Sequence, residues 1–305
     1  MLKEIKENIA KKIWDDMLLI NGCNNFYQSF SNAVITQAEE DGQKKFYVFD
    51  EGNKTIIWAM CCIKGEKCII PFGPFLSDEV SLNSFATFLN ELKEKTGKKI
   101  IFSVDNENVK KLKPITKNLK IDWDFTTIIL NIKNKSIEEV RANFSENRER
   151  IVKKCLINLK EAIITEGKQN CEDFYRLYEK RMQENNAPVE FDLEFLKLIA
   201  EQKNTGIMIC RNSDYEPMSG LVYFIFGNTI TTRYNAFDSK FAQLNPGSYL
   251  DFNMITKIVN DENLAYYDMS GLAMESDCSQ KSLNVNRYKK TYGSMELVNY
   301  KWYKY

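Results

Sequence analysis

The sequence predicts an α/β protein of two lobes, each a mixed, mostly antiparallel sheet flanked by helices. At 305 residues the chain is long enough for two domains that each bury a core. Short β-type runs punctuated by turn residues alternate with segments of helical periodicity. The order helix, antiparallel meander, helix, strand occurs in both halves, although no residue-level repeat links them. The expected lobes are 1–135 and 136–305.

In chain order, Ile5, Ile9, Ile13 and Met17 recur at steps of four and predict an amphipathic helix over 3–20 that ends near Asn21-Gly22. Strands are expected at Ala33–Gln37, Phe46–Phe49, Thr55–Ile63 and Cys68–Ile70, with turns at Asp41-Gly42 and Glu51-Gly52-Asn53. Pro71-Phe72-Gly73-Pro74-Phe75 closes the meander, and a helix over 82–95 and strands over 100–104 and 125–132 complete the first lobe. Ser136 and Glu139 have capping-box spacing: the hydroxyl can accept an orphan amide while the carboxylate reaches back. A long helix is expected after them, with Val140, Phe144, Ile151 and Cys155 facing inward. Helices follow over 172–184 and after Asp192, then strands over 206–211, 219–226 and 228–237, with Gly227-Asn228 as a tight turn. A helix from Tyr249 to Val259 leads into a strand from Ala265 to Met269.

Composition excludes whole classes of chemistry. There is no histidine, hence no Ser-His or Cys-His dyad, no His-ligated zinc and no imidazole base; no metal is implied. Forty-two basic residues against forty-two acidic ones give no net charge, so any nucleic-acid contact must be local. The eight cysteines, at 23, 61, 62, 68, 155, 171, 210 and 278, form no C-x-x-C pair and lie mostly in apolar runs. They predict buried, reduced thiols in a cytoplasmic protein. No apolar run has signal-peptide or membrane-span length.

The tail carries the most specific pattern. An apolar strand stopped by Asp-x-x-Gly, Ala265-Tyr266-Tyr267-Asp268-Met269-Ser270-Gly271, is followed by Arg287-Tyr288-Lys289-Lys290 and then Tyr292-Gly293. With Arg148-Glu149-Arg150-Ile151-Val152-Lys153-Lys154 upstream and Gly73-Pro74 in the first lobe, it resembles the FemAB/FemX peptidyltransferases. The resemblance implies a double GNAT fold and transfer of an aminoacyl or acyl group onto an amine. One departure concerns the acceptor. Relatives acting on soluble UDP-muramyl peptides carry a basic residue shortly after a Gln-Ser, whereas Gln28-Ser29 is followed by Phe30-Ser31-Asn32-Ala33-Val34.

Each candidate residue has a functional and a structural reading. By the resemblance Lys289, after the aromatic Tyr288, stabilises the charge of the tetrahedral intermediate beside the acyl ester. A preorganised ammonium lowers such a barrier by a few kcal/mol. Otherwise it belongs to a solvated helix face. Asn245, Gly247 and Ser248 precede a helix where GNAT enzymes hold a donor pyrophosphate, or they simply cap it; Pro246 removes one amide. Arg148 and Arg150 are expected to grip phosphate, or to lie on an exposed face. Tyr234 matches the family's strand tyrosine near the acceptor, or packs. Asp268 accepts the proton of the attacking amine, or caps its turn. No cofactor is held permanently. The co-substrate is an aminoacyl-tRNA, with acyl-CoA as the other candidate, and the acceptor is an amine-bearing nucleotide-sugar or peptide of cell-wall or surface-sugar type. A non-catalytic module that binds a nucleotide-sugar or tRNA end is the alternative.

Overall fold

The computed structural model describes residues 1–272, 280–293 and 295–305. They form two compact units, Met1–Thr126 with Val298–Tyr305, and Thr127–Leu297. Cys278 lies outside the described residues; the other seven cysteines are buried and free.

The first unit contains β1 (Leu2–Ile5), α1 (Glu7–Ile20), α2 (Phe30–Glu40), β2 (Gln43–Glu51), β3 (Lys54–Lys64), β4 (Lys67–Ile70), β5 (Phe75–Leu76), α3 (Leu82–Thr96), β6 (Lys99–Val104) and α4 (Asn106–Thr116). β7 (Lys120–Asn131) leads out of it. The α1 stripe differs from the expected one. Ile9 and Ile13 are 45% and 41% exposed, while Ala10, Trp14 and Leu18 are fully buried. The bulky indole sets the rotation of the helix: Trp14 Nε1 donates to the Gln28 carbonyl at 2.8 Å, and Leu2–Ile5 pair with β2 instead of extending the helix. The expected strand at 33–37 is helical, part of α2. Ser29 accepts from the Asn32 amide and nucleates a helix that the β-branched run does not oppose strongly enough. Helix α4 was not expected; Asp105 caps it. Gln28 ties two of the first-lobe segments together, its Nε2 donating to Pro71 O at 2.6 Å. A Cβ on Gly73 would sit 2.5 Å from the Gln28 amide, so a larger residue there would have to displace that side chain.

The second unit contains α5 (Ile137–Ala142), α6 (Glu146–Asn158), β8 (Ile163–Glu166), α7 (Cys171–Glu184), α8 (Leu193–Ala200), β9 (Thr205–Arg211), β10 (Pro217–Phe226), β11 (Thr229–Phe237), α9 (Pro246–Val259), β12 (Tyr266–Leu272), α10 (Gln280–Lys290) and the start of β13 (Met295–Lys304). The Ser136–Glu139 capping box is present. The single long helix expected behind it is two, because Ser145 caps a new helix by accepting from the Arg148 amide. The break is held by the tail. The Ser145 amide donates to Thr291 O at 2.9 Å, and Gly293, at φ 101°, lies so near Asn143 that a Cβ would come within 2.0 Å of its carbonyl oxygen.

In the first unit the strand order is β1-β2-β3-β4-β6-β13, with β5 against β3; in the second it is β7-β12-β11-β10-β9-β8. Most of the described pairs are antiparallel, but β4 with β6 and β11 with β12 are parallel. Tyr223, Leu221, Ile255 and Tyr267 belong to the second unit's apolar core, which the buried faces of α6 and α9 also help build.

Candidate active site

The site begins as a defect in sheet pairing. β11 and β12 pair from Thr229 to Thr231 against Tyr266 to Asp268, and there the register ends. On its other edge β11 carries a bulge at Arg233, since Val222 faces Tyr234 while Tyr223 faces Thr232. Where the parallel strands part, Thr232 and Ala236 of β11 and Tyr267 and Met269 of β12 line a cavity of about 470 Å³. The start of α9 supplies Asn245, Gly247, Ser248 and Asp251, α10 supplies Tyr288 and Lys289, and α7 supplies Arg181.

The α9 entrance presents backbone to the cavity. Asn245 takes the left-handed conformation at φ 55°, and Pro246 occupies the first helical position without an amide. A Cβ on Gly247 would meet nothing within 4 Å, so the chain is open there. First-turn amides have no partner within a helix and favour anions.

Lys289 is only 8% exposed yet stands on the cavity wall. Its Nζ donates to the carbonyls of Gly271 at 2.6 Å and Ser270 at 3.2 Å. Successive strand carbonyls normally point in opposite directions, but Ser270 sits in the left-handed region at φ 63°, and that turn lets both face one ammonium. The Asp268 carboxylate supports the turn by accepting from the Ser270 amide at 2.8 Å. Burial brings the Lys289 ammonium down to about 8, against the opposing pull of Asp268 and Asp251.

A second network surrounds Asp251. Its carboxylate accepts from the phenols of Tyr267, Tyr288 and Tyr292, at 2.7, 2.5 and 3.2 Å. Burial, then the Asp251 charge, raises all three phenols, so they remain neutral donors. Behind them the Arg148 guanidinium lies 4.2 Å from the Tyr288 ring centroid and 4.3 Å from that of Tyr292.

Five of the residues singled out in the sequence, Asn245, Gly247, Ser248, Tyr288 and Lys289, thus meet on one cavity. The others do not join them. Arg148 is 2% exposed and spends its donors on Thr291 Oγ1 (2.9 Å) and Ser248 Oγ (2.8 Å), while Arg150 is exposed and bonds Asn147. The two-arginine phosphate grip is therefore not assembled: one guanidinium is consumed by packing and the other lies on the surface. Tyr234 is off the cavity wall, its ring 4.7 Å from Phe191. Asp268 is buried beside the cavity rather than lining it; Thr127 and Ser270 bond its carboxylate, and burial raises its acid. Its observed part is to hold the turn. Asp251, Tyr267 and Tyr292 were not singled out. The i, i+4 spacing of Tyr288 and Tyr292 was a visible signal for one shared face, but nothing local linked either to an aspartate in another helix.

Residues 146–290 match the family described as the acetyltransferase (GNAT) domain. A search of curated proteins finds no match. Among solved structures the chain is similar to the crystal structure of FemX, at TM-score 0.80 and 13% identity over 99% of this chain and 96% of that one. A conserved Bacteroides thetaiotaomicron protein of unknown function aligns at TM-score 0.70 and 13% identity, over 99% and 98% of the two chains. A tandem GNAT protein from the clavulanic acid biosynthesis pathway aligns at TM-score 0.54 and 8% identity, over 100% and 98%. These identities establish likeness of fold: two GNAT-like lobes in one chain.

Proposed function

We propose that this chain, which has the FemX-type double GNAT fold, is an acyltransferase that moves an aminoacyl or acyl group from an activated donor to an amine. The observation that carries this reading is the placement of Lys289, a buried ammonium on the wall of the cavity that opens between β11 and β12. As the amine nitrogen attacks the donor's carbonyl carbon, negative charge grows on the carbonyl oxygen. Two of the three Lys289 N–H groups are held by Ser270 and Gly271, which fixes the head group and leaves the third for that oxygen. The intermediate then collapses with loss of the donor's alcohol or thiol.

The donor enters along the first turn of α9, where Gly247 admits close approach and the helix N-terminus favours phosphate. An aminoacyl-tRNA end is the preferred donor and acyl-CoA the other candidate. The acceptor is an amine on a cell-wall or surface-sugar precursor. Asp268 is too enclosed to serve as its base, and an α-amine with pKa near 8 is already partly neutral at neutral pH.

The test is chemical fate. The chain is incubated with an aminoacyl-tRNA or acetyl-CoA and a panel of amine-bearing nucleotide-sugar peptides, and donors and acceptors are weighed by mass spectrometry. Expected is an acceptor heavier by one acyl group. Ligands that bind and return intact would instead identify a non-catalytic binding module.

A further inference from the structure

The isoleucine stripe that the sequence predicts as the inward face of α1 lies outside. With Trp14 fixing the rotation of the helix, Ile9, Ile13 and Ile20 are left 45%, 41% and 84% exposed, and half-buried Met17 stands at their edge. A single exposed isoleucine is ordinary, but apolar residues recurring at helical spacing on one outward face mark a surface that another helix can cover. Two charges narrow what that helix is. At 3.6 residues per turn the three isoleucines fall within about 40° of one another, and Asp16 and Lys12 lie about 20° and about 60° to one side of Ile9. Both charged residues are exposed, and among the described residues neither side chain makes an ion pair or a hydrogen bond. An acyl chain or a purely apolar groove laid on this face would strip water from Asp16 and give it no partner. The occupant must bring a cation to Asp16 and an anion to Lys12. The same face of a second copy brings both.

We propose that the outward face of α1 is a self-association surface, on which the helix packs antiparallel to α1 of a second copy about a two-fold axis near its midpoint. With the axis level with the Trp14–Asp15 peptide, Ile9 stands at the height of Ile20 of the second copy. Lys12 then lies within one residue's rise, about 1.5 Å along the helix, of Asp16 of the second copy, and on the same flank. Symmetry makes each contact twice. A parallel pair would instead set Asp16 level with its own copy, so charge selects the antiparallel arrangement. One helix face is smaller than a standard interface of about 1,200–2,000 Å², so the association is weak and reversible.

The test is sedimentation velocity of the full chain from about 5 to about 500 µM, which spans weak association. Expected is a sedimentation coefficient that rises with concentration from the monomer value toward the dimer value. Lys12→Asp and Asp16→Lys should each remain monomeric, because like charges then face each other across the two-fold axis. An equal mixture of the two variants should regain the dimer, since one copy now offers two aspartates where the other offers two lysines. Ile20→Asp, at the most exposed position of the stripe, should remain monomeric and provides a check independent of the charge pair. A wild-type chain that is monomeric throughout would overturn the proposal, as would variants that dimerise like wild type or a mixture that stays monomeric. A monomer that co-sediments with phosphatidylglycerol vesicles would also overturn it and identify a lipid surface as the occupant.

Discussion

Burial of Lys289 opposes folding, a cost at the level of single residues that the proposed catalytic role accounts for. Its ammonium falls from the usual 10.5 to about 8, a difference of about 3 kcal/mol against the folded state. The direction follows from proton binding. Between those values the unfolded chain holds the proton more tightly, so wild-type stability rises with pH across that window, and the penalty is fully present below it. Lys289→Met should therefore leave the melting temperature unchanged or higher at pH 7, offset by two carbonyls left without a donor. Its advantage should vanish by about pH 10.5, as thermal denaturation across pH would reveal. A variant markedly less stable at pH 7 would mean that Lys289 is structural. Lys289 and Tyr288 were legible in the sequence because the tail pattern groups them. Asp251 was not, because an aspartate within a helix carries no mark of the three phenols that converge on it from β12, α10 and the segment beyond.

Two glycines make opposite predictions at the level of elements. Gly293 combines φ 101° with a Cβ position 2.0 Å from the Asn143 carbonyl oxygen, at the break between α5 and α6. Gly293→Ala should cost about 3 kcal/mol or more in chemical denaturation. Gly247, in the first turn of α9, would meet nothing within 4 Å. Gly247→Ala should change stability by no more than about 0.5 kcal/mol but raise the donor KM several-fold if the donor approaches along this turn as proposed. An unchanged KM would remove this turn from the donor path. The same elements explain what the sequence could and could not convey. β2, β3, β9, β10 and β11 follow from alternation and turn residues, which are local signals. The α1 stripe and α2 do not: isoleucine spacing competes with a single tryptophan that fixes the helix rotation, and a β-branched run yields to the Ser29 cap. The α5–α6 break was hidden for a related reason, since it is set by Thr291 and Gly293, far along the chain.

For the whole molecule, the tail serves both units. Tyr288 and Lys289 belong to the second, while Val298–Tyr305 completes the first, with β13 pairing β6 from Lys301–Val104 to Lys304–Ile101. Tyr303 is buried there and stacks on Phe102 at 5.5 Å. Tyr303→Ala should destabilise the first unit by about 3 kcal/mol in a denaturant titration, and an effect under about 0.5 kcal/mol would show that the closing strand contributes little. Sequence order placed these last residues after a lobe boundary at 135. Return pairing of a terminal strand is a long-range contact that local pattern does not encode. The most direct measurement of the central claim is the single-turnover rate of acyl transfer by the intact chain, wild type against Lys289→Met, with donor saturating. A fall of about 10²- to 10³-fold in the variant, with donor affinity preserved, is expected of a buried ammonium that stabilises the developing oxyanion; a rate within about twofold of wild type would contradict it.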